Sequence, residues 1–213
     1  MADRTLRDGP PGAQGALALR DAAVRHGAYR WVERRLFELT GSWAAAPGVP
    51  DGARIFCFEA SAQHAWHADL WHARLPVLAG VDPDRLTQPV GAAVEPMLAS
   101  LGPGAFEGDD ETAARRFLVG LSRVVLPLLL VSYRGFARRL VPVADSPAIR
   151  AVTLVLRDEQ DELARAQALA DELLAEPRAA QQAAEWTRAL GDLAFQGGDE
   201  EDLLPWSEGE FAR

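Results

Sequence analysis

Two histidines and three glutamates are the residues best placed to do chemistry, because helical spacing turns each toward an otherwise apolar face. With successive residues turned by about 100°, Tyr29, Val32, Leu36, Leu39 and Trp43 form one stripe, and Glu33 falls inside it. Val152, Val155, Leu156, Leu163, Ala166 and Ala170 form a second, with Glu159 at its centre and Glu162 at its edge. Asp158 and Asp161 are expected to point away. Between these stripes lies Gln63-His64-Ala65-Trp66-His67, whose two imidazoles stand three positions apart and can reach one ion from the same turn. Phe56, Glu59, Gln63, Trp66, His67 and Leu70 share the expected inner face of this segment, with His64 and Trp71 at its margin and Cys57 on its flank. Carboxylates on opposite apolar stripes are costly to bury unless paired, protonated or bound to a cation.

Two readings of this set follow. Imidazole and carboxylate are ordinary ligands of zinc, iron or manganese. Glu33, His67, Glu159 and one of His64 or Glu162 therefore form a candidate mononuclear site, with Tyr29, Glu59 and Gln63 as the residues that orient the ligands. In the other reading the set is a structural network without metal, in which Arg74 also projects onto the inner face of the second helix and Arg123 or Tyr133 satisfies Glu33 or Glu159 through ion pairs and hydrogen bonds. His26 and His72 are expected on the surface.

The elements that must position these residues are helices. Apolar spacing predicts four long ones: about Ala16 to Trp43, Ala53 to Leu75, Thr112 to Leu140, and a fourth that begins at Asp145-Ser146-Pro147 and runs to about Ala175. The last start pairs N-cap residues with a first-turn proline. A shorter helix spans about Arg178 to Phe195, and Pro127 predicts a bend in the third. Residues 16–196 are expected to form one helical domain, between a flexible N-terminus over 1–15 and an acidic tail over 197–213. The first two helices are joined by the short loop Ala46 to Gly52, and the third and fourth by Val141 to Ser146. The connection from Pro76 to Glu111 is too long for a simple turn and includes a short helical stretch within Val90 to Leu101.

Short, long and short connections, with Glu33 followed 31 positions later by His64-Ala65-Trp66-His67 and with Glu159-Gln160-Asp161-Glu162 on the fourth helix, resemble the ferritin-like carboxylate superfamily. The resemblance covers roughly residues 20 to 176 and implies an all-α, four-helix bundle with one long crossover, plus a fifth C-terminal helix. That family pattern is a Glu on helix one and a Glu-x-x-His on helix two, repeated across helices three and four. Here His64 replaces a Glu, Glu162 replaces a His, and Phe117 to Leu140 contains no acid, so the chain resembles a degenerate member. A haem-oxygenase-like helical bundle is a related architecture.

Composition narrows the functions. The 213 residues carry a net charge of -9 and contain no Lys, and an acidic surface repels phosphate backbones. Nucleic-acid binding is therefore not expected. The chain shows neither a phosphate-binding Gly-rich loop nor a nucleophile elbow. Cys57 is the sole cysteine and cannot form an internal disulfide. The run Phe117 to Tyr133 is interrupted by Arg123 and Pro127, so no membrane span is expected and the protein is read as cytoplasmic. Trp31 falls on the outer face of its helix beside Arg35, which suits a homodimer contact or a single exposed Trp covered by the fifth helix. The tail alternates acids with Leu203, Leu204, Trp206 and Phe211, a pattern that suits a solvated segment or a partner-binding one. Two functions fit: a non-catalytic or accessory bundle that binds a protein partner or itself, without cofactor, or a non-haem iron- or manganese-dependent oxidase or oxygenase acting on a small molecule.

Overall fold

The computed structural model describes residues 19–77, 82–89, 91–106 and 110–195, and all regular structure among them is helical. The stretches 1–15 and 197–213, including Trp206, lie outside the described residues. The first hairpin pairs α1 (Leu19–Ala45) with α2 (Asp51–His72) along their length. Gly48 turns the chain between them with φ 67°, a conformation glycine adopts without steric cost. Arg54 secures this corner by donating to the carbonyls of Ala44, Ala46 and Val49 at 3.1 to 3.2 Å. Those carbonyls lie at the end of α1 and just beyond it, where helical partners run out.

The long connection is built from short pieces: α3 (Pro83–Leu86), α4 (Val94–Ala99) and a 3-10 turn at Pro103–Ala105. Asp82 caps α3 by accepting from the Asp84 N–H. Arg30 of α1 then holds that piece through Asp84 and Thr87, both at 2.8 Å. Gly27 lets the backbone come close, since a Cβ there would sit 1.9 Å from the Leu86 carbonyl oxygen.

The third long helix is α5 (Asp110–Gly120) and α6 (Leu126–Arg138), joined without a break by a π turn at Leu121–Val125. Pro127 has no N–H for the Arg123 carbonyl, and its ring crowds that group. The ladder responds one residue earlier, where the Leu126 N–H reaches back five residues to the Leu121 carbonyl. The expected bend at Pro127 is thus taken up as a π turn. The next helix, α7 (Ser146–Leu173), starts where Asp145-Ser146-Pro147 predicts, but by another mechanism. Asp145 does not cap it; its carboxylate accepts from the Val141 N–H at 2.8 Å and closes the preceding loop. Last comes α8 (Pro177–Phe195), which packs across α5 and α4 and anchors through Trp186 Nε1 on the Arg116 carbonyl at 3.0 Å.

Helix α2 packs on α7, and α7 on α5 and α6. Tyr29 of α1 reaches α6, hydrogen-bonding the Ser132 backbone carbonyl and hydroxyl at 3.0 Å. One end of the interior is apolar, with Trp43 stacked on Phe117 at 5.0 Å and its Nε1 donating to the Leu101 carbonyl at 2.8 Å. Leu36, Leu101, Leu118, Leu121 and Leu129 are fully buried, each contributing about 1.5–3 kcal/mol on removal from water. The stretch 112–138 is long and apolar enough to cross a membrane, contrary to the sequence expectation, yet 72% of its most apolar window is buried inside the fold. It is the central core helix here. Trp31, expected outward, is half-buried and packs against the same core.

Candidate metal centre

The inward glutamates and histidines meet. Glu33 of α1, His64 and His67 of α2 and Glu159 of α7 are fully buried, and each brings a ligand atom to a group spanning no more than 4.8 Å. His64 Nδ1 lies 2.7 Å from Glu33 Oε2 and 3.5 Å from Glu159 Oε1. His67 Nδ1 lies 3.5 Å from the same Glu33 oxygen and 3.1 Å from the same Glu159 oxygen. A tetrahedral ion with bonds of 2.0–2.2 Å sets its ligand atoms roughly 3.3–3.6 Å apart. Two of these separations, at 3.5 Å, fall in that range, and the two at 2.7 and 3.1 Å are hydrogen-bond distances that an ion would open. Two nitrogens and two carboxylate oxygens thus surround one point.

Each imidazole rests its second nitrogen on another carboxylate. His64 Nε2 lies 3.1 Å from Glu162, and His67 Nε2 lies 3.3 Å from Asp158. Metal-bound histidines use this arrangement to fix tautomer and ring orientation. Glu33 is held from its other side by the Tyr133 hydroxyl, which donates to Oε1. Tyr133 in turn accepts from Trp71 Nε1 at 3.2 Å. Glu159 Oε2 and Glu162 Oε2 are buried with no hydrogen-bond partner among the described residues. A buried polar atom left unsatisfied costs about 1–3 kcal/mol, so the spare oxygens give the set coordinating capacity that its own hydrogen bonds do not use. The residues fit a metal ion.

Proton positions follow from the same geometry. Burial pulls His64 down, but Glu162 and Glu159 together with the Glu162 and Glu33 hydrogen bonds raise it well above the ordinary histidine value. Burial likewise opposes the charge on His67, and Glu33 and Glu159 overcome it, lifting the ring to about 10. Burial raises Glu33, but the His67 charge and bonds from both histidines outweigh it and hold Glu33 ionised. Glu159 moves the other way, raised by burial and by the Glu33 charge. Tyr133 is pushed well above the ordinary phenol value by burial and then by Glu33 and Glu159. Without metal, two imidazoliums supply positive charge among the carboxylates. A divalent ion brings the same charge and would displace two protons.

Several sequence expectations need correction. Glu59, expected to orient a ligand, is half-exposed and pairs at 2.5 Å with Arg165. The buried face of α2 runs through Ala53, Phe56, Cys57, Ala60, His64, His67 and Trp71. It is rotated by about one position from the predicted face, which carries Glu59 out and leaves Trp66 45% exposed. Gln63 is half-buried, and its Nε2 has no partner among the described residues. Tyr29 bonds to Ser132 and packs on the Tyr133 ring at 4.5 Å and on Trp71 at 5.0 Å. Glu162 lies behind His64 and outside the four-residue group. Asp158, expected to point away, supports His67. Arg123 pairs instead with Asp171 at 3.4 Å, so among the named partners Tyr133 is the one that satisfies Glu33.

His26, expected on the surface, is buried. Its Nδ1 lies 3.2 Å from the Arg74 carbonyl, its ring stacks on Trp71 at 5.7 Å, and burial lowers it to about 4. Cys57 is also buried, with burial and then Glu162 pushing its thiol up to about 12, so it is not a nucleophile. Trp71 and Asp158 carried a readable signal: each histidine aimed at an ion needs a partner for its other nitrogen, and Trp71 lies four residues beyond His67 on the same face. Comparison of the chain with family models, with curated proteins and with solved structures finds no match in any of the three.

Proposed function

We propose that this chain is a non-haem metalloprotein that holds one iron or manganese ion between Glu33, His64, His67 and Glu159 and acts on a small molecule as an oxidase or oxygenase. The observation that carries the reading is the division of labour in each imidazole. One nitrogen faces the two shared carboxylates, and the other rests on a carboxylate of its own. The ligand set also suits zinc, so the choice of a redox metal is part of the proposal. The ferritin-like arrangement belongs to it too, supported by four long helical stretches with short, long and short connections. A buried lone cysteine accords with a cytoplasmic place. The test is metal content by mass spectrometry after purification without chelator or His-tag, then after anaerobic loading with iron, manganese and zinc. About one equivalent per chain, lost in His67→Ala, is expected; less than about a tenth under every loading overturns the reading.

A second reading, an accessory helical bundle acting through a protein partner or a second copy, is favoured by one observation. Each ring nitrogen of His64 and His67 already has a carboxylate partner, and the four side chains are fully buried. On that reading the double change Glu33→Ala, His67→Ala shifts the melting temperature equally with and without added metal. On the metal reading, only the parent protein gains stability from the ion.

A further inference from the structure

The two ends of the bundle differ in chemistry. His26, near the start of α1, touches the Arg74 carbonyl just beyond α2 and the Phe136 ring near the end of α6. A short loop closed by Asp145 then leads from α6 into α7. The starts of α1 and α7 and the ends of α2 and α6 therefore make up one end of the molecule. The three most exposed large apolar side chains among the described residues all stand there: Val77 at 99%, Val143 at 92% and Leu19 at 70%. Arg20, Arg138 and Arg150 accompany them, exposed and with no ion pair among the described residues. Two acids share this end: Asp145, which accepts from the Val141 N–H, and Asp21, which is half-buried. In a chain of net charge -9, residues 112–157 hold eight arginines and one aspartate. The opposite end, where Gly52 lies against Leu169, exposes Asp51, Glu172 and Glu176.

We infer that this end docks on an anionic lipid bilayer, with Arg20, Arg138 and Arg150 at the phosphates and Val143, Val77 and Leu19 set among the headgroups. The protein lies on the membrane and does not span it, since the apolar stretch 112–138 stays mostly inside the fold. Shape favours a bilayer over an acidic protein. The apolar side chains come from three separate segments and form isolated tips rather than a stripe along one helix. A protein groove takes side chains at a fixed helical or strand spacing, whereas a fluid headgroup layer takes tips at any spacing. Pro142 and Ala144 flank Val143 and are exposed too, so this tip enters without a charged side chain to desolvate. Charge sets the orientation. An anionic surface repels the chain as a whole, so approach is favourable only with the arginines foremost. Helix α7, 28 residues long, holds the acidic end roughly 40 Å away. Salt screens charges beyond about 10 Å, so those acids do not undo the contact. Nothing here depends on whether the buried cluster holds a metal.

The experiment is co-sedimentation of the full chain with vesicles of phosphatidylcholine alone and with vesicles containing about one-third phosphatidylglycerol. The expected result is binding to the anionic vesicles only, falling steeply as salt rises from about 0.1 M to about 1 M. Arg138→Gln with Arg150→Gln should weaken it roughly thirtyfold, at about fivefold per arginine. Val143→Ser should weaken it roughly tenfold. Phe58→Ser removes an exposed apolar side chain from α2, away from this end, and should leave binding unchanged. The lipid and salt arms use the parent protein, so they decide the matter even where a variant fails to fold. No binding to anionic vesicles, equal binding to phosphatidylcholine alone, or binding insensitive to either the arginine or the Val143 change in a folded variant overturns the inference. Retention on immobilised polyglutamate without vesicle binding also overturns it, and assigns this end to an acidic protein.

Discussion

His67 and His26 are both buried histidines in one interior, and their surroundings drive them to opposite protonation states. His67 sits among Glu33, Glu159 and Asp158 and is raised to about 10. His26 sits among Trp71 and Phe136 with a single backbone carbonyl, and burial lowers it to about 4. Desolvation acts on both in the same direction. What differs is whether fixed negative charge is close enough to offset it. A histidine at an inner position therefore says little by itself. The carboxylates brought to it by other helices decide whether it is a cation, a ligand or an aromatic filler.

The largest blow to this contrast is removal of the carboxylate between the two cluster histidines. Glu33→Ala removes the carboxylate that both imidazoliums share, leaving them Glu159, Glu162 and Asp158, and is expected to cost about 3–5 kcal/mol in chemical unfolding of the metal-free protein. Glu33→Gln should cost less because it keeps the shape and a hydrogen-bond acceptor. If Glu33→Gln costs nothing, charge is not what holds the cluster together; if the two cost the same, charge accounts for all of it.

The pH dependence should bend in opposite directions. His67 has a folded value above its unfolded 6.5, so its contribution is complete below 6.5 and is lost as pH rises through about 10. His26 has a folded value below 6.5, so its contribution is complete above 6.5 and is lost as pH falls through about 4. For His26 that loss amounts to about 3 kcal/mol at most. Urea titrations of chelator-treated protein should show His67→Gln flattening the alkaline limb and His26→Phe flattening the acid limb. A variant that flattens the wrong limb, or neither, breaks the comparison. The smallest effect belongs to Glu59→Ala, whose half-exposed pair with Arg165 is worth no more than about 0.5 kcal/mol. Metal content should not change, and a loss of metal would return Glu59 to the centre.

Much of this was legible in the helix wheels, and the reasons for the misses are particular. The stripe of α7 placed Glu159 and Glu162 inward because that helix separates apolar from charged residues, and Glu33 was fixed by the large side chains Tyr29, Val32, Leu36, Leu39 and Trp43 that flank it on α1. Helix α2 defeated the same reading because both its faces are rich in alanine and aromatics, so a rotation of one position costs nothing in pattern and moves Glu59 out and Cys57 in. His26 was misplaced because its partners, Trp71 and Phe136, lie 45 and 110 positions away on other helices. No local spacing reports them. The absence of acid from the third helix predicts a missing ligand there, and Tyr133 puts a hydroxyl against Glu33 from that side.

The π turn at Leu121–Val125 has a genetic meaning. A π turn accommodates one residue more than an α-helix of equal length, so everything after it is one step out of phase with the strand of code before it. An uninterrupted α-helix anchored at the same end would carry Ser132, not Tyr133, to the height of Glu33. Loss of a single codon between 121 and 125 would remove that extra residue and leave the phenol beside the carboxylate, whereas straightening the turn with every codon kept would exchange it for the Ser132 alcohol.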